Sequence, residues 1–438
     1  MKETNEIIDF LKKHKYLAHY HLVEKQEGNY REIPEDLSEK IKIGLKNFGI
    51  EKLYSHQYQT YNAVKKGENV VITTPTASGK SLCYNLPVLN AIEKNSSTKC
   101  FYFFPTKALS RDQSKSVIEL AEKSEIPLRC EVYDGDTPSD IREGIRKNAQ
   151  IIITNPDMLH QAILPHHPMW RRVLENLKFI VIDEVHIYTG VFGSHFANVL
   201  RRLKRICGFY GSNPQFICCS ATIANPLELA QNLVEEKFTL IDKNGAPSSR
   251  KHFFFINPPI VNRELGIRKS YVDITVLMAR EFIEREIPTI TFARTRLSVE
   301  VITKYLKDRT NHLKKHKIAA YRGGYLPKLR REIERKMKEK EISLIVSTNA
   351  LELGIDIGEL QGCIIAGYPG TISSTLQQAG RAGRKKDDSI AVLIGSNFAV
   401  DQFIMSNPDY IFKSSPEHAR INPDNPDILF NHLCCAVY

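Results

Sequence analysis

What most constrains this chain is a series of short, unbroken apolar runs separated by helical stretches. In the first half the runs are NVVITT (69–74), CFYFF (100–104), RCEVY (129–133), QIIIT (150–154), FIVID (179–183) and QFICCS (215–220). Runs that are apolar throughout, rather than alternating, belong to strands buried on both faces, the pattern of a parallel sheet. Helical stretches at 80–93, 107–123 and 193–208 supply the crossovers such a sheet needs. A second series follows: PTITFA (288–293), KIAAY (317–321), SLIVS (343–347), CIIAG (363–367) and IAVLIG (390–395). The sequence therefore predicts an α/β chain with two tandem parallel-sheet domains, at 51–245 and 269–415. A Pro-, Gly- and Ser-rich linker is expected at 246–268, and a polar helical extension at 1–50. Residues 416–438 end in an apolar run, ILFNHLCCAVY, and are expected to begin a domain that continues beyond this chain.

Composition narrows the class. Hydrophobic residues make up 42% and charged residues 25%, ordinary for a globular protein. No apolar run reaches the roughly 18 residues of a membrane span, and charges interrupt the N-terminus too often for a signal peptide. The expectation is a cytoplasmic protein with no membrane partner. Nine cysteines, none spaced as CxxC, point to reduced thiols and to no zinc site within this chain. The net charge of +11 favours a polyanionic partner, and residues 312–341 alone carry 11 Lys/Arg against 4 Asp/Glu.

The stretch TTPTASGKS (73–81) sits between a strand and a helix, where a phosphate-binding loop belongs. It departs from the usual pattern by having Thr74 in place of the first glycine. Backbone N–H groups of Thr76, Ala77, Ser78 and Gly79 are expected to curl around the phosphates of ATP. Lys80 would place a charge at the β- and γ-phosphates, and Ser81 a hydroxyl on Mg²⁺. About 100 residues on, FIVIDEVH ends a very apolar strand in two carboxylates. Burying such a pair is costly unless it meets a cation or a proton-transfer task. Asp183 would hold Mg²⁺, and Glu184 would polarise the attacking water.

The ordered set of motifs resembles superfamily 2 DExH-box helicases. Asp183-Glu184-Val185-His186 is the box, and Cys219-Ser220-Ala221-Thr222 looks like motif III. FFPTKALSRDQ looks like motif Ia, STNALELGIDIG like motif V and QQAGRAGR (377–384) like motif VI. LYSHQYQ (53–59) resembles the adenine-contacting Q motif. The longer wording, including ITNPDMLHQAILPHH, FARTR and YRGGYLPKLRREIER, is similar to the bacterial mitomycin repair factor A proteins and to RecQ4-like helicases. The resemblance implies two RecA-like domains and an ATP-dependent 3′→5′ DNA helicase or translocase acting in repair. Single-stranded or tailed DNA would be the partner, with a repair nuclease as a candidate second partner. In that family a zinc domain lies further C-terminal. By the same resemblance Gln57 would read the adenine edge and Tyr54 stack on it, with Gly354 and Asp356 near the ribose. His186 would couple the two halves. Thr106, Lys107, Thr154, Asn155, Arg294, Arg322, Gly323 and Thr348 would grip the DNA backbone. Arg381 and Arg384 would act as arginine fingers, while Gln378 stands where many relatives have arginine. An RNA remodeller of the DEAD-box kind and a nucleotide-switch scaffold are the rival readings.

Other features have plain readings. His14, His19 and His21 have no carboxylate or cysteine at ligand spacing and read as surface residues. His166-His167 point to opposite sides of an extended chain, which does not suit a metal site. Trp170 is expected to anchor its loop by packing, and Phe192 to lie in the core.

Overall fold

All eleven apolar runs fold as strands, within one or two residues of their expected limits. The structure is a computed structural model and describes residues 2–383 and 388–437. It divides into two units. The first lobe comprises residues 29–246 with 418–438, and the second lobe residues 1–28 with 247–417.

The first-lobe sheet has seven parallel strands. Their spatial order is Thr239–Ile241, Val70–Thr73, Gln215–Ser220, Leu177–Ile182, Lys99–Phe103, Ile151–Thr154 and Cys130–Val132. The central strands are buried on both faces, as uniform apolarity requires. Trp170 is buried against Phe101 and Tyr133, so it does anchor its loop by packing. Phe192 instead lies 43% exposed, resting on Tyr188.

The second-lobe sheet also has seven strands. The order is Leu17–Val23, Lys251–Ile256, Ser389–Ile394, Gly362–Ala366, Thr289–Ala293, Leu344–Ser347 and Ile318–Tyr321. Two of these were not expected. Lys251–Ile256 lies inside the segment read as a linker, yet it pairs in parallel with Ser389–Ile394. Phe253, Phe254, Phe255 and Ile256 are all buried, each worth roughly 1.5–3 kcal/mol of apolar burial. Leu17–Val23 lies in the N-terminal extension and pairs antiparallel with Lys251–Ile256. That extension is helical at Lys2–Lys12 and Glu39–Asn47, and between them it gives the second lobe its edge strand. Residues 418–437 pack on the first lobe instead. There the helix Pro426–Val437 lies against the helix Gly190–Phe209, through His432–His195 and the Arg205 guanidinium donating to the Ala436 carbonyl.

All nine cysteines are free; seven are buried, and Cys434 and Cys435 are exposed. No helix among the described residues is long and apolar enough to cross a membrane.

Candidate nucleotide and nucleic-acid sites

The strand Val70–Thr73 runs into the loop 74–79, and the helix Lys80–Lys94 begins at Lys80. The missing first glycine is accounted for locally. Thr74 is fully buried, and its hydroxyl bonds the Ser78 hydroxyl at 2.6 Å, closing the loop on itself. Two residues adopt left-handed backbone, Ala77 at φ 65° and Gly79 at φ 78°. Gly79 is also packed tightly: a Cβ there would stand 2.7 Å from the Gln57 amide nitrogen. Lys80 folds back and donates to the carbonyls of Thr74 (2.6 Å) and Pro75 (3.0 Å).

The loop is braced from behind by residues of the Q motif. Gln57 is buried, donates from its amide nitrogen to the Gly79 carbonyl (3.0 Å) and accepts from the Tyr54 backbone N–H (3.0 Å). Its amide thus ties the loop to the helix Ser55–Lys65. Tyr54 is half-buried beside His56 and Tyr30, with its ring still part-open for stacking. His56, which sequence reasoning passed over, is fully buried. Its Nδ1 accepts from the Gly245 N–H at 3.1 Å, so Nε2 carries the proton and donates to the Ser78 carbonyl at 3.0 Å. Burial pushes its pKa down to about 4.

Opposite the loop, Asp183 and Glu184 follow the strand Leu177–Ile182. Both are nearly buried. Asp183 Oδ1 accepts from the Glu184 N–H at 2.9 Å. Burial raises the Asp183 carboxyl well above the usual range; the Glu184 charge adds to this and Lys80 opposes it. Glu184 itself sits at φ 53°, ψ 46°, a left-handed conformation that costs a non-glycine residue roughly 1–3 kcal/mol. Strain of that kind persists where function fixes a side-chain direction. His186 Nδ1 accepts from the Ala221 N–H at 3.2 Å, so that nitrogen bears a lone pair. Its approach to Glu184 at 3.5 Å is therefore a contact with a neutral ring, and burial lowers the His186 pKa accordingly. His186 thus joins the DExH box to motif III within the first lobe.

The residues present suit Mg²⁺-bound ATP. Ser81 and Asp183 offer a hydroxyl and a carboxylate, the hard oxygen donors Mg²⁺ takes. Burial first and the Glu184 charge second raise the Asp183 carboxyl, and a bound cation would offset both. The Ser81 hydroxyl donates to Gln113 Oε1 at 2.8 Å, and the Tyr84 hydroxyl to the same oxygen at 3.0 Å. Gln113 lies on the helix Lys107–Lys123. That helix starts at Thr106, whose hydroxyl caps it, and Lys107 pairs with Asp136 at 2.7 Å. Asn155 likewise caps its short helix, accepting from the Met158 N–H. Thr154 is a correction. It is buried, and its hydroxyl donates inward to the Tyr133 carbonyl at 2.8 Å.

The second lobe organises its motifs around Glu352. This nearly buried carboxylate accepts from the Ser374 hydroxyl (2.6 Å) and the Gln378 amide (2.8 Å). Its carbonyl accepts twice from Arg381, at 2.6 and 2.9 Å, and the Ile355 carbonyl accepts once more at 3.0 Å. Arg381 is only 1% exposed. It clamps motif V to motif VI inside the lobe, in contrast to the reaching finger expected of it. Arg384 lies outside the described residues. Lys251 supports the same loop, donating to the carbonyls of Ala379 (2.7 Å) and Ala382 (2.6 Å) and to the Ser389 hydroxyl (3.1 Å). Burial lowers its pKa to about 8.

Arg294 is also engaged within the lobe. It pairs with the buried Asp401 and lies over the Phe398 ring. Arg322 donates to Glu300 at 2.8 Å and stacks on Tyr325, beside the exposed turn at Gly323. The Thr348 hydroxyl accepts from the Ala350 N–H at 3.4 Å. Gly354 is half-buried, and Asp356 pairs with Lys338 at 2.9 Å on the wall of a cavity of about 600 Å³. Pro288, Lys317 and Ser343 line that cavity, at the N-terminal ends of three parallel strands. Asp356 is thus turned away from the strand ends that carry Arg322 and Thr348.

Residues 54–230 match the DEAD/DEAH box helicase family, and residues 274–386 the helicase conserved C-terminal domain. The chain is 52% identical to the ATP-dependent helicase YprA of Bacillus subtilis over 438 residues, covering all of this chain and 58% of that protein. It is 38% identical to the ATP-dependent helicase hrq1 of Schizosaccharomyces pombe, covering 94% of this chain and 40% of that protein. A crystal structure of the DUF1998 helicase MrfA bound to DNA and AMPPNP superposes with a TM-score of 0.95 at 52% identity. The match covers 99% of this chain and 60% of that one. The chain thus spans little more than half the length of its bacterial relatives.

Proposed function

The chain belongs to the superfamily 2 helicases that join a DEAD/DEAH box domain to a helicase conserved C-terminal domain, and from that premise we propose an ATP-driven DNA translocase moving 3′→5′ along a single strand. The observation that carries this reading is the bond from Ser81 to Gln113. It joins the hydroxyl that would hold Mg²⁺ to the helix whose first turn, at Thr106 and Lys107, would hold the DNA backbone. A nucleotide site and a strand grip that share one helix can exchange strain in either direction.

The residues divide the work as follows. The N–H groups of residues 76–79 and the Lys80 ammonium bind the phosphates, with Lys80 exchanging its two carbonyl partners for phosphate oxygens. Ser81 and Asp183 would hold Mg²⁺, which when bound would supply positive charge against the phosphates. Glu184, aimed by its left-handed backbone, orients the attacking water. His186, neutral, passes any shift of Glu184 to Ala221 in motif III. Arg384 is the finger, a role worth roughly 10³–10⁵ in rate. Lys107 leaves Asp136 for a phosphate, and Arg322 and Thr348 bind the strand on the second lobe. DNA is favoured over RNA as the track because MrfA is described as bound to DNA, and a role in repair follows the same relationship. Steady-state ATPase assays with single-stranded DNA and with RNA of the same sequence test this. The expected result is stimulation by DNA, lost on Lys80→Ala; stimulation by RNA alone contradicts it.

A further inference from the structure

Two histidines that read as surface residues in the sequence meet a carboxylate from almost 400 residues away. His19 and His21 stand two apart on the edge strand Leu17–Val23, so both side chains lie on one face. They sit opposite Phe255 and Phe253 on the neighbouring strand. Asp409 approaches from the short helix Asp409–Lys413. One ligand atom from each of the three lies within 4.8 Å of the others.

The rings are held in place. His21 stacks on Phe412 with centroids 3.8 Å apart and planes 11° from parallel. Phe412 in turn stands edge-on to Phe253 and Phe255, and His19 packs edge-on to Phe255. The His21 stack uses the ring face and leaves its nitrogens open. Neither imidazole has a hydrogen-bond partner among the described residues. Lys413 takes Asp409 Oδ2 at 2.6 Å, which leaves the second oxygen of that carboxylate for another partner.

We propose that His19, His21 and Asp409 form a binding site for one divalent transition-metal cation of the zinc type. Two imidazoles and one carboxylate with an open fourth position match a three-ligand zinc centre completed by water. Around bonds of roughly 2.0–2.2 Å, ligand atoms of a tetrahedral centre lie roughly 3.4 Å apart. Closing from 4.8 Å takes small side-chain rotations, and Lys413, largely exposed, can swing aside. The cation would tie the edge strand to the segment 409–413, just before the chain leaves the second lobe.

The test is zinc titration by calorimetry on the 438-residue chain carrying Cys434→Ser and Cys435→Ser, which removes the exposed thiols. His21→Phe keeps the stack on Phe412 while deleting both nitrogens, and Asp409→Asn changes one exposed group. One zinc bound in the micromolar range is expected, weakened at least about tenfold by either variant. Cobalt(II) should give visible d–d bands and no thiolate charge-transfer band. Zinc should raise the Tm of the parent and not of the variants. No saturable binding below about 1 mM, or binding indifferent to both variants, overturns the proposal.

Discussion

Arg381 and Arg384 are three residues apart and alike in type, but their expected roles diverge. Arg381 is buried with its guanidinium on the Glu352 and Ile355 carbonyls. Arg381→Ala should leave those carbonyls unpaired and destabilise the protein by about 3 kcal/mol, measured by denaturant unfolding. Arg384→Ala should instead leave stability and nucleotide binding nearly unchanged while lowering kcat by roughly 10³ or more. If Arg384→Ala weakens binding and keeps kcat, the finger assignment fails. His56 gives a pH signature. Its folded pKa is depressed to about 4 by burial, so the unfolded chain takes up the proton first. The His56 contribution is complete above about pH 6.5 and is lost as pH falls towards 4. Tm should drop across that window, and the drop should shrink in His56→Gln. An equal drop in the variant would place the effect elsewhere.

At the scale of elements, the helix Lys107–Lys123 connects two tasks through Gln113. Gln113→Ala should lower the stimulation of ATP hydrolysis by single-stranded DNA several-fold while ATP affinity changes little. Titrating DNA at saturating ATP checks this; unchanged stimulation would show that Gln113 only fills space. The same scale explains what could be read from the sequence. The phosphate loop and the DExH strand were legible because their chemistry is local: a strand, a turn and a helix start within about a dozen residues. The eleven apolar runs were legible because burial on both faces leaves no alternation. The strand Lys251–Ile256 was hidden by the prolines and serines around it, although Phe253–Phe255 were visible. Its strand character comes from pairing with Ser389–Ile394, nearly 140 residues later. Leu17–Val23 was hidden for the same reason, since only the edge of a distant sheet makes it a strand. The bracing role of Gln57, and with it His56 and Lys251, was missed because their partners are chiefly backbone carbonyls and N–H groups, and Glu352 because the fold brings its side-chain partners Ser374 and Gln378 to it. No residue type in the sequence marks such backbone groups.

At the scale of the molecule, the chain passes between its two lobes at 28–29, 246–247 and 417–418, so each lobe is built from separated segments. The first lobe holds the loop, Asp183 and Glu184; the second holds motifs V and VI. The strand grip should be sequence-independent and should weaken steeply with salt, because it rests on phosphate contacts. Directed motion is the central claim, and displacement of streptavidin from a biotinylated single strand tests it most directly. With ATP and Mg²⁺, streptavidin at the 5′ end should be displaced far faster than at the 3′ end, and Glu184→Gln should abolish the difference. Equal rates at both ends, faster release from the 3′ end, or no dependence on ATP would contradict it.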